Sequence, residues 1–167
     1  MSILDQIRQK TRAEFRAATH GEMQRLQALG MPEDALNFYR DAVPTRMAEI
    51  GKVRLWNVGD LEVENRDAVP GYYALPCGYV VFASTDCGDS YCFDIRSMRY
   101  PKSAPIVLIA HDLEPENDEM KREELEKLAK PIAESFGTFL ESFAASTLDR
   151  DPVYPPFDFG KGADDKT

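Results

Sequence analysis

The sequence predicts an α+β domain, with a central antiparallel sheet flanked by N-terminal and C-terminal helices. Apolar residues recur at helical intervals near both ends of the chain, within residues 3–42 and 117–145. Between them, residues 79–83, 90–95 and 105–110 form short runs rich in β-branched and aromatic side chains, which is typical of buried strands. Helices followed by strands and then by helices indicate an α+β domain rather than alternating βαβ units.

Helices are expected throughout the N-terminal segment. Apolar residues at helical spacing predict a first helix within residues 3–15. A second should end at Gly30, because glycine favours the left-handed conformation that closes a helix. Pro32 then starts a third, since proline suits the first helical position, and this helix should place Leu36 and Tyr39 against the sheet.

The segment between these helices and the first long strand is harder to assign. Residues 52–56 alternate as a strand does, and residues 57–60 have the composition of a turn. Residues 61–64 fit either a strand or a short helix. Pro70 and the glycine after it mark a loop, at residues 70–75, that leads into the sheet.

A β-hairpin is predicted at the centre of the chain, with its turn at residues 86–89. Gly88 can adopt a positive φ without steric cost, and the flanking aspartates can bond their own backbone. Alternation in the second strand places Tyr91, Phe93 and Ile95 on one face.

The C-terminal helical region is divided by Pro131, which must start a new segment or kink the old one. We expect one helix at residues 117–130 and a second that ends near residue 145, with Ser135 as a candidate N-cap. Residues 148–167 are rich in proline and charge, which predicts a partly disordered tail. The predicted domain therefore spans residues 1–147.

Composition limits the classes of partner. The formal net charge of −9 over 167 residues argues against direct nucleic-acid binding and favours a basic protein partner. No apolar run is long enough to cross a membrane, and the N-terminus lacks the apolar core of a signal peptide, so we expect a cytoplasmic protein. The acidic residues within 114–126 are interpreted as a solvated helical face.

No cofactor or metal site is predicted. Cys77, Cys87 and Cys92 lack CxxC spacing, so free thiols are expected in a reducing compartment. His20 and His111 lie far from them in sequence, whereas structural zinc sites pair their ligands at short spacing.

An enzymatic alternative is a cysteine-dependent hydrolase. Its nucleophile would be Cys87 or Cys92, with His111 as the base and Asp112 or Asp94 orienting the imidazole. The chemistry requires a thiolate within hydrogen-bond reach of the histidine, and no local motif predicts that geometry. We therefore expect no catalytic residues.

Three segments together resemble the SUKH superfamily. Residues 29–39, LGMPEDALNFY, resemble its helix with an "LP" step and an "fY" pair. The hairpin with Gly88 and Asp89 at its turn resembles its "GD" step, and residues 134–140, ESFGTFL, resemble its closing helix. The resemblance covers about residues 25–145. The acidic stretch 114–130 is longer than the usual link before the closing helix.

The resemblance implies a non-catalytic protein-binding domain, because the superfamily includes bacterial immunity proteins and fungal cell-wall-assembly regulators. The implied partner is a cognate toxin that the immunity protein blocks by binding. The acidic balance suggests a basic, nuclease-like toxin domain. The alternatives are a regulatory or scaffold module and a small-molecule sensor. We expect a monomer or a weak homodimer.

Five residues are the candidates for partner binding. Trp56, Tyr72 and Tyr73 lie in or beside predicted loops at the sheet edge, where aromatic side chains are often contacts for partners. Asp86 and Asp89 would complete an interaction patch if they lay beside the two tyrosines, although turn formation also explains these aspartates.

Overall fold

A computed structural model describes residues 1–98 and 102–148, which form a six-stranded antiparallel sheet with helices on both faces. The helices are α1 (Ile3–Thr11), α2 (His20–Leu29), α3 (Glu33–Asp41), α4 (Val58–Arg66), α5 (Gly71–Ala74), α6 (Arg122–Leu128) and α7 (Phe136–Ala144). The strands are β1 (Phe15–Arg16), β2 (Val43–Pro44), β3 (Ala48–Ile50), β4 (Val53–Leu55), β5 (Tyr79–Thr85), β6 (Ser90–Asp94), β7 (Ile106–Ile109) and β8 (Lys130–Ala133). Short 3₁₀ turns follow α5, at Leu75–Cys77, and β6, at Ile95–Ser97. The predicted α+β fold is confirmed.

The sheet is a meander in which β3 to β8 pair in sequence order, while β1 and β2 form a separate two-stranded sheet. Its central strands are buried on both faces, because successive side chains of a strand point to opposite sides. In β7, Ile106 and Leu108 belong to the larger core, and Val107 and Ile109 belong to a smaller one. Helices α1, α2, α3, α4 and α7 contribute to the larger core, and α5 and α6 cover the opposite face.

Aromatic rings join α7 to the sheet in the larger core. The Phe82 ring stacks on that of Phe93 at 4.3 Å between centroids and meets Phe139 edge-on at 4.8 Å. Phe136 packs against Tyr39, which is fully buried, as expected for the residue predicted to face the sheet. Such pairs stabilise by about 0.5–1.5 kcal/mol each beyond the area they bury.

The predicted hairpin is confirmed, including its turn. Gly88 has a φ of 97°, and Thr85 closes the turn because its Oγ1 accepts hydrogen bonds from the backbone N–H groups of Cys87 and Asp89. Tyr91 and Phe93 share a buried face, as predicted.

A side chain takes the place of a missing strand beside β5. On the β5 side, the three residues of β4 reach only residues 83–85 of β5. Beyond that point, the buried Asn65 of α4 donates to the carbonyl of Val81 at 2.9 Å and accepts from its N–H at 2.8 Å. This pair of bonds holds α4 against the sheet.

Two predictions before β5 are wrong. Residues 57–60 are not a turn, because Asn57 occupies the N-cap position of α4 and the helix begins at Val58. Residues 70–75 are not a loop, because α5 and the 3₁₀ turn follow Pro70 directly. Both helices depend on tertiary packing, since they bury Leu61 and Ala74 respectively.

The prediction for the C-terminal region needs two corrections. The helix expected at residues 117–130 is limited to α6, and an irregular acidic segment precedes it. Pro131 lies in the edge strand β8, where a missing N–H is tolerated, rather than in a helix. Ser135 is the N-cap of α7, as predicted, because its Oγ accepts from the N–H of Thr138 at 3.1 Å.

The predicted tail, residues 148–167, lies outside the described residues except for Leu148. Among the helices of the described residues, none combines the length and the apolar character that a membrane crossing requires.

Candidate protein-binding site

Two adjacent tyrosines are presented on the face of the sheet that carries the smaller core. Helix α5 approaches α4 closely at Gly71, where an added Cβ would lie 1.8 Å from the carbonyl oxygen of Glu64. With Ala74 buried beneath the helix, Tyr72 points outward and is 46% exposed. Its ring meets that of Tyr73 edge-on, with 5.0 Å between centroids. The close packing at Gly71 therefore fixes where both rings lie.

An acidic turn at residues 116–119 lies beside these rings and contacts Tyr73. Glu116 and Glu119 form an isolated antiparallel bridge, and Asn117 and Asp118 between them have φ values of 56° and 60°. Two successive positive φ values are typical of a type I′ turn, which favours Asn and Asp. The hydroxyl of Tyr73 donates to Asp118 Oδ1 at 2.8 Å, and this bond to a carboxylate raises the pKa of Tyr73.

The acidic turn is anchored to the sheet by Arg122 at the start of α6. Its guanidinium donates to Asp94 Oδ1 and to the carbonyl of Cys77, both at 2.8 Å, and lies 4.6 Å above the Tyr79 ring. The thiol of Cys77 also donates to the carbonyl of Met120 at 3.3 Å. These contacts tie the residues after the turn to the 3₁₀ turn that follows α5.

Together these elements enclose a cleft of about 360 Å³, which we call the tyrosine cleft. It is lined by Tyr72, Tyr73, Pro76, Asp118, Glu119 and Met120. Glu119 also lines a neighbouring pocket with Glu116, Glu124 and Lys121. Between residues 112 and 126 the sequence carries eight carboxylates and two cations, so this is a strongly negative part of the surface. The cleft combines apolar ring surface with negative charge.

The hairpin turn forms a second, separate pocket of about 270 Å³, to which Asp86 and Asp89 contribute beside Lys52. Asp89 Oδ1 lies 2.8 Å from His111 Nδ1 and accepts from the His111 backbone N–H at 3.1 Å. The hydrogen bond to Asp89 raises the pKa of His111. Asp89 therefore connects the hairpin to the end of β7, whereas Asp86 is exposed.

Trp56 serves the scaffold. Its side chain is half-buried against the larger core, and its Nε1 donates to Ser84 Oγ at 2.8 Å. Ser84 Oγ in turn donates to Glu64 Oε1 at 3.4 Å, and partial burial raises the pKa of Glu64.

The five candidate residues do not form one patch. Tyr72 and Tyr73 line the tyrosine cleft, Asp86 and Asp89 line the hairpin pocket, and Trp56 lines neither. Sequence reasoning missed Asp118, Glu119 and Met120, because it assigned the acidic stretch to a solvated helix. The Asn-Asp pair at residues 117 and 118, after a proline, was the available signal for a turn.

The three cysteines are free, and their surroundings oppose ionisation. Burial raises the pKa of the Cys92 thiol, and the adjacent Asp86 raises that of Cys87, whose sulfur lies 3.6 Å from Asp86 Oδ1. His111 is bonded to Asp89, and no hydrogen bond joins it to a cysteine within the described residues. The described residues likewise contain no group of three His, Cys, Asp or Glu side chains arranged to hold a metal ion.

Comparison with known proteins identifies the family. A search of curated proteins found no match. The model of the SMI1/KNR4 family (SUKH-1) matches residues 22–142, a region that includes most of α2 and α7, all of α3 to α6 and every strand of the large sheet. Members are immunity or regulatory domains that bind other proteins and are generally non-catalytic. The chain belongs to the SMI1/KNR4 (SUKH-1) family.

Proposed function

We propose that this chain is a cytoplasmic immunity protein that neutralises a cognate bacterial toxin by binding it, without catalysis. The observation that carries the proposal is the tyrosine cleft, which places exposed aromatic surface within the acidic region of a protein-binding fold. Tyrosine is enriched among the residues that dominate protein interfaces. The toxin that fits this surface best is a basic, nuclease-like domain.

Charge supports a basic partner. The chain has a formal net charge of −9, and much of it is concentrated in the segment that borders the cleft. Complementary potentials speed the encounter of two proteins and exclude partners of the same sign. An immunity protein benefits from fast capture, because the toxin harms the cell until it is bound.

The cleft is held in place before any partner arrives. Asp118 is fixed by the hydroxyl of Tyr73, and the segment after it is fixed by Arg122 and Cys77. A surface ordered in advance loses less conformational entropy when it binds, which leaves more of the contact energy for affinity.

The test is co-expression with the C-terminal domain of a toxin encoded beside this chain. We expect the chain to restore growth and to co-purify with that domain. The double variant Asp118→Asn/Glu119→Gln should weaken both effects, because it removes two negative charges from the cleft. If the unmodified chain neither restored growth nor co-purified with the toxin domain, the proposal would be contradicted.

The matched control is Glu14→Gln/Asp41→Asn. It removes the same charge from two exposed carboxylates near α1 and α3, on the opposite side of the sheet. We expect this variant to rescue growth as the unmodified chain does. An equal loss in both double variants would attribute the effect to net charge and would contradict the assignment of the cleft as the site.

A further inference from the structure

We propose that the tyrosine cleft receives an arginine side chain of the partner, with the guanidinium over the ring of Tyr72 and beside the carboxylates of Asp118 and Glu119. The inference rests on the proposed function, which it deepens by naming the group that the cleft recognises. It concerns one subsite, which can be tested without the partner.

The ring of Tyr72 supplies the apolar part of the subsite. Tyr72 is 46% exposed, so its ring is open to a ligand, and its edge-on contact with Tyr73 holds it in one orientation. A planar guanidinium stacks on such a ring and is attracted by its negative face. Pro76 and Met120 form the remaining apolar walls, against which the methylenes of an arginine can pack.

The carboxylates supply the counter-charge. Asp118 Oδ1 already accepts from Tyr73, and within the described residues no donor is bonded to Oδ2. Glu119 follows it directly and lines the same cleft. The fork of five N–H donors on a guanidinium can engage two carboxylate oxygens at once, which the single ammonium of lysine does less well.

Neither of these two carboxylates belongs to an ion pair identified between described residues. Arg122, which is near in sequence, is occupied by Asp94 and Glu126. A cleft with aromatic walls and two negative charges outside the ion pairs of the described residues is complementary to a cation from outside.

The experiment titrates the full chain with N-acetyl-L-arginine amide and records NMR shifts of the backbone and the tyrosine rings. N-acetyl-L-citrulline amide is the matched neutral probe, because it has nearly the same shape without the charge. We expect saturable shifts centred on Tyr72, Tyr73 and Asp118 with the arginine probe, and binding of the citrulline probe that is at least about fivefold weaker.

Two variants locate the effect. Tyr72→Leu and Asp118→Asn should each weaken binding of the arginine probe by about two- to fivefold, from the magnitudes of exposed cation–π and ion-pair contacts. Tyr72→Phe keeps the ring and should bind as the unmodified chain does, and Asp41→Asn controls for net charge. Because Tyr72 and Asp118 are exposed, both variants should keep the melting temperature of the unmodified chain.

Equal affinity for the two probes, or shifts spread over all acidic surfaces, would overturn the inference. So would unchanged binding in both Tyr72→Leu and Asp118→Asn. These results are separate from the test of toxin neutralisation. If the chain bound the arginine probe but did not rescue growth, the arginine subsite would stand and the toxin-neutralising function would be rejected. If the chain rescued growth but bound both probes equally, the function would stand and the arginine subsite would be rejected.

Discussion

At the scale of single residues, Asn65 has a clear structural role. Its side-chain amide forms hydrogen bonds with both the N–H and the C=O of Val81, and it also donates to the carbonyl of Leu61. The side chain is fully buried, so none of these groups has access to water. A residue without an amide would leave buried backbone groups unpaired, and the full cost of their desolvation would appear in the stability.

We predict that Asn65→Ala lowers the free energy of unfolding by about 2–4 kcal/mol, because it leaves the N–H and C=O of Val81 without partners. Urea unfolding measures this. Asn37→Ala is the control, since Asn37 is exposed and its side-chain oxygen accepts a hydrogen bond from Arg40, and it should change stability by less than about 0.5 kcal/mol. Similar losses in the two variants would contradict the role assigned to Asn65.

His111 gives a pH-dependent prediction. Its hydrogen bond to Asp89 raises its pKa in the folded chain, so this bond contributes stability that is fully present below the unfolded pKa of about 6.5. The contribution is lost as the pH rises through the raised value. We predict that Asp89→Asn lowers the pKa of His111, as measured by NMR titration of the imidazole. Asp86→Asn, in the same turn, should lower it much less.

At the scale of elements, the acidic segment depends on Arg122 more than on its own sequence. The guanidinium pairs with Asp94, whose side chain is only 11% exposed, and the two groups compensate each other's burial. Removal of the cation would leave a buried carboxylate without its partner, which costs more than the pair contributes. The segment before α6 would then lose its attachment to the sheet.

We predict that Arg122→Gln destabilises the chain by about 1.5–3 kcal/mol, the range for hydrogen bonds to charged groups. Amide hydrogen exchange in residues 114–121 should become faster, because the anchor at the start of α6 is lost. Lys127→Gln, at an exposed position of the same helix, should leave exchange unchanged. Unaltered exchange in Arg122→Gln would show that other contacts hold the segment.

Strands and caps were predictable where local residues determine them. Residues 79–83 and 105–110 are almost entirely apolar, which predicts buried strands. Gly88 adopts the positive φ of the hairpin turn, and Ser135 is the N-cap of α7, as their residue types predict. Helix α4 is only partly predicted: residues 61–64 fit either a strand or a short helix, and the start of the helix reads as a turn. Its sequence has little amphipathic pattern, so the helix depends on tertiary contacts such as the burial of Leu61. Tyr72 and Tyr73 stand out in the sequence as candidate contacts, and their role in binding stays a prediction. The hydrogen-bond partner of Tyr73 is Asp118, 45 residues further along the chain, and no local pattern reveals that contact.

At the scale of the whole molecule, two cores share one sheet. Strands β5, β6 and β7 contribute side chains to both cores, one on each face of the sheet. If these strands unfold, both cores lose the sheet against which they pack. The chain should therefore unfold in one cooperative step, as small single domains usually do. We propose, on this ground, that residues 1–147 fold as one domain.

We predict that Leu125→Ala, in the smaller core, destabilises the chain by about 2–5 kcal/mol and shifts every unfolding probe equally. The single tryptophan, Trp56, reports on the larger core by fluorescence, and circular dichroism reports on the whole chain. Leu128→Ala, 47% exposed on the same helix, is the control and should change little. A fluorescence midpoint that stays in place while the dichroism midpoint falls would contradict a single domain.

The Asn65 contact also bears on the tendency of the chain to aggregate. An uncovered strand edge offers unpaired N–H and C=O groups on which another chain can add a strand, and proteins commonly block such edges with proline, charge or a bulge. Here β5 extends past the end of β4, and one amide side chain pairs with the N–H and C=O of Val81, which β4 does not reach. Asn65 thus blocks the pairing of another chain's strand at this edge. We expect its loss to increase aggregation as well as to lower stability.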